Sequence, residues 1–499
     1  MNWDWVLKFF ETRLKRASRD RIRQLHQNTD TERLLASLKR LSRNLNDTPL
    51  GSLDDGTAVR IPDNHLTNFG IVTGGQGSGK TMLAAVQMLR RLEAGKPFGV
   101  ADPKGEAFNR ALYLLAHYKH LWNRVYILDV GDRELASPYN ILKPWGDGFD
   151  FFIHSRLETL KELLPGQDRL RLRAAGLLKH SLVLLADRGY PITHHDQLFT
   201  DISFRRKLVQ ECRQDETRHY FQKVFPDEPK QTIDSLRARI SSLFTSQSLK
   251  RALDASDAPD FGRMMDDGYY ILINFGGADI TRGVRFLLQG LGISDLRQSI
   301  FRRTNNDPYL WFMDESQNYF KTAQQAEDLH EILNMGRFKG TFLQMLCQNL
   351  STAITNKDTF EVLRTNLRYT FCLRSSPSDV QFLKPFLPIT GKRRKPGQPF
   401  QEKQYYSENE ERNLLLEEIA TLPDRVGYFW LKTELPHAVK MKVTSLEFAD
   451  DFDTVVQAMK KQFNVGRTPK RSTQQNNDRP MADVLEHMEK RYQEPEEED

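Results

Sequence analysis

The spacing of apolar residues changes several times along this chain, and the changes divide it. From residue 3 to about 45 apolar side chains recur at helical intervals among many Arg and Lys, until Asn46-Asp-Thr-Pro-Leu-Gly51 breaks the pattern. This predicts a basic helical arm, either solvated and packed on a neighbouring domain or subunit, or set against a membrane surface or DNA. Short runs rich in aliphatic, β-branched and aromatic residues follow at 69–73, 98–102 and 125–130, each before a turn and separated by helical stretches. Such alternation is the pattern of a parallel sheet covered on both faces.

Between 152 and 261 the period is helical, with 154–164 and 169–188 as the longest stretches and few strand candidates. An all-helical insertion therefore splits the sheet. Strand-like runs resume at 269–275, 309–313, 341–347, 369–373 and 426–431, with a helical stretch at 281–301. A basic loop, Gly391-Lys-Arg-Arg-Lys-Pro-Gly397, falls before the last of them, and the polar end Glu494-Pro-Glu-Glu-Glu-Asp499 has the composition of a flexible tail. The organisation expected is an arm over 1–48, an α/β domain in two parts (49–151 and 262–464), a helical insertion over 152–261, and a tail over 465–499. No internal repeat interrupts it.

Composition narrows the class. With 499 residues, 39% hydrophobic and 28% charged, the chain is too apolar for a disordered protein and long enough for about two to four domains. No apolar run reaches the roughly 18 to 20 residues of a membrane span, and the N-terminus lacks a signal-peptide pattern, which predicts a cytoplasmic protein. Cys212, Cys347 and Cys372 are far apart and show no zinc spacing, as expected of reduced thiols. The 72 basic and 66 acidic residues leave a net charge of +6, which permits a polyanionic partner without requiring one.

The strongest chemical signal is Gly74, Gly75, Gln76, Gly77, Ser78, Gly79, Lys80 and Thr81, a G-x-x-x-x-G-K-[ST] motif between the strand at 69–73 and the helical run at 82–92. Glycines let backbone N–H groups turn around phosphate oxygens, the helix N-terminus adds a favourable dipole, Lys80 reaches the terminal phosphates, and Thr81 holds Mg²⁺. ATP with Mg²⁺ is the expected ligand. The strand at 309–313 ends in Asp314 and Glu315, which suit a Walker B pair: Asp314 orienting the metal, Glu315 polarising the attacking water. The alternative is an exposed acidic turn. Arg337, after this strand, is either a residue offered to a neighbouring subunit's γ-phosphate or a surface salt bridge. Gln348, at the end of the strand at 341–347, either senses the γ-phosphate at the ligand-binding edge or closes the strand.

Taken together, the P-loop, Asp102-Pro-Lys-Gly-Glu106, Asp260-Phe-Gly with the strand ending at Asn274, Asp314 with Glu315, Gly336 with Arg337, and Gln348 with Asn349 resemble the TraD/TraG/TrwB coupling proteins of conjugative type IV secretion. These belong to the FtsK/HerA branch of RecA-like motor ATPases. The resemblance runs from about residue 50 to 443, and the order of motifs, with a helical insertion between Walker A and Walker B, carries most of it. It implies a RecA-like P-loop core and a homo-hexameric ring that couples ATP hydrolysis to movement of DNA. It also implies that Arg337 acts in trans as a finger and that Gln348 contacts the nucleotide region. The Asp102 box lies at a strand end, where a plain strand-to-helix turn is the competing reading.

Many coupling proteins begin with transmembrane helices, and this chain shows none. A soluble coupling protein held at the inner membrane by secretion-channel or relaxosome partners fits, as does a cytosolic translocase of the same branch serving repair or mobile-element defence. A third reading is a nucleotide-gated assembly scaffold. Candidates for sequence-independent DNA contact are Arg169, Arg171, Arg173 and Lys179 in the insertion and Lys392, Arg393, Arg394 and Lys395 in the basic loop, each equally readable as solvated charge.

Overall fold

The computed structural model describes residues 29–42, 44, 47–132, 137–144, 148–164, 172–354, 356–391, 393, 395 and 404–463. Most of the basic arm and the whole acidic tail lie outside these residues, as do Arg169, Arg171, Lys392 and Arg394. The chain divides into two compact units, one of residues 1–99 and 304–447, the other of residues 100–303 and 448–499. Among the described residues the strands are β1 (Thr48–Ser52), β2 (Ala58–Ile61), β3 (Gly70–Thr73), β4 (Phe98–Asp102), β5 (Val125–Asp129), β6 (Tyr270–Asn274), β7 (Tyr309–Met313), β8 (Thr341–Cys347), β9 (Tyr369–Leu373), β10 (Val426–Leu431) and β11 (Val439–Val443).

The first unit carries the strand order β2-β1-β11-β10-β9-β3-β8-β7. One half is parallel: β3 pairs with β9 on one side and β8 on the other, and β8 pairs with β7. Every residue of β3, β7, β8 and β9 is buried, the mark of strands covered on both faces. The other half, from β9 through β10 and β11 to β1 and β2, is antiparallel. Here burial alternates along β10 and largely along β11, as it does where one face is less covered. The antiparallel block adds β1, β2 and β11 to the strands expected from the sequence. In β1 the register slips between Pro49 and Gly51, and Gly51 lies so close to β11 that a Cβ there would sit 2.1 Å from the Lys442 carbonyl oxygen.

The helix Lys80–Glu93 starts directly behind β3. Its far end is pinned by Arg91, which donates to Asp63 at 3.0 Å, to Thr67 Oγ1 at 2.9 Å and to the Pro97 carbonyl at 2.8 Å. Burial pushes the Asp63 carboxyl up, but Arg91 and Lys96 pull it down further, leaving it below the usual carboxylate range.

The second unit carries β4 from Val100 onward, then β6 and β5, with β5 and β6 parallel and in register from Val125 opposite Tyr270 to Asp129 opposite Asn274. Between Phe149 and Asp266 the described residues form helices and turns without a strand. The helix Phe149–Leu163 is tied to the helix Arg282–Arg302 by a fully buried ion pair of Arg156 with Asp295, which also accepts from the Tyr139 hydroxyl. The helix Phe452–Gln462 lies on the helix Glu106–Ala116, where Phe452 stacks on Tyr113 with ring centroids 5.0 Å apart. Its Lys460 reaches inward to the buried Asp129 at 2.8 Å. Among the described residues no helix is long and apolar enough to cross a membrane.

Candidate functional site

The parallel register brings the C-terminal ends of three strands together. Thr73 of β3 stands opposite Cys347 of β8 and Cys372 of β9, and Met313 of β7 stands opposite Met345. The chain leaving each strand therefore opens onto one edge of the sheet, where ligands of open α/β sheets bind.

Residues 74–79 form a loop between β3 and the following helix, and Gly77 and Gly79 adopt left-handed φ angles of 74° and 110°. These conformations favour glycine and let consecutive N–H groups face a common concavity suited to an anion. Neighbouring backbone grips the loop from both sides. Gly74 N–H donates to the Cys347 carbonyl at 3.2 Å, Gly75 N–H to the Arg374 carbonyl at 2.7 Å, and Arg425 N–H to the Ser78 carbonyl at 2.9 Å. Arg425 is itself left-handed, with φ 62°, and packs so closely that a Cβ on Gly79 would lie 3.2 Å from its Cγ. Lys80, only 6% exposed, folds its ammonium back across the loop, donating to the carbonyls of Gly74 at 2.7 Å and Gly75 at 2.8 Å.

Asp314 follows β7 and is buried, and its Oδ1 accepts the Glu315 N–H at 2.9 Å. Glu315 is left-handed, φ 50°, at the start of a tight turn in which Ser316 Oγ donates to the Met313 carbonyl at 2.6 Å. The Glu315 carboxylate is held by two amides. Gln348 Nε2 donates to Oε1 at 2.6 Å, and Gln317 Nε2 donates to Oε2 at 2.6 Å. Gln317 also accepts the Gln348 backbone N–H at 2.9 Å, so its side chain bridges the ends of β7 and β8. Between these groups the Cys347 thiol is pushed far up by burial, and it feels the charges of Lys80, Asp314 and Glu315. It is an inert wall of the site rather than a nucleophile.

The structure thus gathers Gly74 to Thr81, Asp314, Glu315 and Gln348 at one sheet edge, and adds Gln317, Arg374 and Arg425, which the sequence reading does not include. Arg337 stands elsewhere. It is exposed on the turn Gly336–Lys339, whose Gly336 packs against the Thr341 carbonyl and the Phe69 ring, at the opposite ends of β8 and β3. It forms no ion pair among the described residues, unlike the surface salt bridge weighed above.

Asp102, in the second unit, has both carboxylate oxygens occupied by its own turn. It accepts from Lys104 N–H at 2.7 Å, Ala107 N–H at 2.7 Å and Phe108 N–H at 3.1 Å, and burial raises its pKa. Asp102 thus closes a strand-to-helix turn and satisfies donors at the helix terminus. Of the described DNA candidates, Arg173 is exposed, Lys179 pairs with Glu216, Arg393 with Glu418 and Lys395 with Glu410.

The donor set at the sheet edge has the chemistry of a polyphosphate site: a concave run of N–H groups, one buried ammonium, a hydroxyl at Thr81 and two adjacent carboxylates. No protein-family model matches the chain, and no curated protein does. Solved structures do. The conjugative coupling protein TrwBdeltaN70 superposes with a TM-score of 0.54 at 17% identity, covering 83% of this chain and 92% of that one. The plasmid coupling protein TrwB in complex with ADP and Mg²⁺ gives the same TM-score, 0.54, at 17% identity over 83% of this chain and 93% of its own. VirB4 of Thermoanaerobacter pseudethanolicus gives 0.53 at 14% identity, over 82% of this chain and 98% of that one. The chain shares the fold of these proteins, the RecA-like P-loop α/β fold expected from its sequence.

Proposed function

We propose that this chain is an ATP-hydrolysing motor that moves DNA through a ring-shaped oligomer, in the manner of a conjugative coupling protein. The observation that carries the reading is the meeting of the Lys80 loop with Asp314 and the doubly held Glu315 at one edge of a fold shared with TrwB. TrwB binds ADP and Mg²⁺, and the loop here suits the same ligand class.

In this reading the loop N–H groups and Lys80 bind the nucleotide phosphates, and Thr81 with Asp314 holds the Mg²⁺ that neutralises charge on them. Glu315 takes the proton of the attacking water, and Gln348 responds to the terminal phosphate. Arg337 acts on the neighbouring subunit, because in its own chain β8 stands between it and the loop. Active sites then lie between subunits of a hexamer, with DNA bound without sequence preference and secretion-channel or relaxosome proteins as partners.

A second reading, a nucleotide-gated assembly scaffold, is favoured by the pairing of Lys179, Arg393 and Lys395 with glutamates, which occupies charges otherwise offered to phosphates. One experiment separates the two. The ATPase rate is measured with and without single- and double-stranded DNA, beside Lys80→Ala. Stimulation by DNA that vanishes in the variant supports the motor, and hydrolysis indifferent to DNA selects the scaffold.

A further inference from the structure

We infer that Gln317 is a positioning residue for hydrolysis: it holds Glu315 Oε2 in place while Gln348 exchanges between Glu315 Oε1 and the nucleotide. The inference rests on the proposed function, in which Glu315 is the base, and adds to it a residue that the motifs do not contain.

The two amides that hold Glu315 are unlike. Gln348 is the first residue beyond β8 and is partly exposed, and its side-chain contact is with Oε1. Gln317 is 8% exposed, sits inside the turn Ser316–Phe320, and is fixed at both ends of its amide. Its nitrogen donates to Glu315 Oε2 at 2.6 Å, and its oxygen accepts the Gln348 N–H at 2.9 Å. An amide with both ends engaged inside a packed turn keeps its orientation, whereas one at an open sheet edge can change partner. A terminal phosphate entering the Lys80 loop competes for the Gln348 NH₂ as a stronger acceptor. Once Gln348 turns to it, Oε1 is released to accept from water, and only the Gln317 donor keeps the carboxylate from swinging. Glu315 needs such a tether, since its left-handed backbone leaves three side-chain torsions to define where the carboxylate points.

The test uses the full chain and compares Gln317→Met, which loses both contacts, with Gln317→Glu, which keeps an acceptor for the Gln348 N–H but loses the donor to Glu315. Steady-state kcat and KM for ATP are measured beside Glu315→Gln, together with the Kd of a fluorescent non-hydrolysable ATP analogue. Gln317→Met is expected to lose about tenfold to a hundredfold in kcat with KM and the analogue Kd unchanged, as for a misplaced base in an intact binding site, and Gln317→Glu, which sets a second carboxylate against Oε2, to lose at least as much in kcat. Wild-type kcat in Gln317→Glu, with loss only in Gln317→Met, assigns the effect to the contact with β8 and overturns the inference. A rise in KM and Kd in both variants overturns it too, since that is general distortion of the loop. Should Gln317→Met not fold, Gln317→Glu carries the test alone. Full turnover in Glu315→Gln, or none in the wild type, instead refutes the functional reading beneath it.

Discussion

Arg337 and Gln348 stand beyond opposite ends of β8. The Gly336–Lys339 turn precedes Thr341, and Gln348 follows Cys347, so the length of a seven-residue strand, roughly 20 Å, separates them. An arginine side chain does not cover that distance, so Arg337 cannot serve the Lys80 loop of its own chain. Its exposure beside Phe338, itself 71% exposed, suits contact with a second copy.

This geometry makes a mixing experiment decisive. Arg337→Ala is expected to bind ATP normally and to hydrolyse it about 10³-fold more slowly, as loss of an arginine finger does elsewhere. Lys80→Ala is expected to be inactive for the opposite reason. Mixed, the two should recover part of the activity that neither has alone, because an intact loop can then meet an intact Arg337 across a subunit boundary. Full activity of Arg337→Ala by itself, or no recovery on mixing, removes Arg337 from the site.

Lys80 also has a part in the loop without nucleotide. Its ammonium donates to two backbone carbonyls, Gly74 and Gly75, while nearly buried. Lys80→Ala should therefore lower the stability of the free protein by about 1–3 kcal/mol as well as abolish hydrolysis. Thermal unfolding without nucleotide measures the first effect. An unchanged melting temperature would mean that these contacts do not hold the loop.

The strands at 98–102, 309–313, 341–347, 369–373 and 426–431 have the bounds that the sequence predicts, because each is an apolar run bounded by Gly, Pro, Asp, Gln or a charged residue. β1, Thr-Pro-Leu-Gly-Ser, hides because Pro49 and Gly51 are turn residues, tolerated here at a register slip. β11, Val-Lys-Met-Lys-Val, carries in its sequence the alternation of a half-covered strand. The glycine-rich loop at 74–79 is legible since its pattern is local. Gln317 is not, for its two partners become neighbours only when β7 and β8 are paired, and Gln348 is 31 residues away. Arg425 is missed likewise: what it offers the loop is a backbone N–H, which no residue type advertises.

In the second unit, Asp295 and Arg156 are both fully buried and hydrogen-bonded, with the Arg156 guanidinium 4.7 Å over the Phe152 ring and its Nε donating to the Ile141 carbonyl at 2.8 Å. Removing one partner strands the other charge away from water. Asp295→Ala should cost about 3–5 kcal/mol in denaturant unfolding, whereas the paired change Arg156→Met with Asp295→Leu should cost less than that single substitution. The reverse ranking would show that the charges themselves hold these helices together.

The same unit should lose stability in acid through His195. This side chain is wholly buried, its Nε2 meets Ser181 Oγ at 3.4 Å, and burial pushes its pKa down to about 3 from an ordinary 6.5. Above the ordinary value both folded and unfolded chains hold a neutral ring, and the group contributes nothing to the pH dependence. As the pH falls below it, the unfolded chain takes up a proton that the folded chain refuses, so stability declines by about 1.4 kcal/mol per pH unit toward the folded pKa. His180, lowered to about 4 by burial against Tyr220, acts in the same sense. The buried Asp102 and Asp129, whose pKa values burial raises, act in the opposite sense, so the comparison must be made between variants that share them. His195→Gln removes one titration and leaves the others. Its melting temperature should start lower at neutral pH and fall less steeply between about pH 6.5 and 4.5 than that of the wild type. Parallel curves would show that His195 is not the group that destabilises the unit in acid.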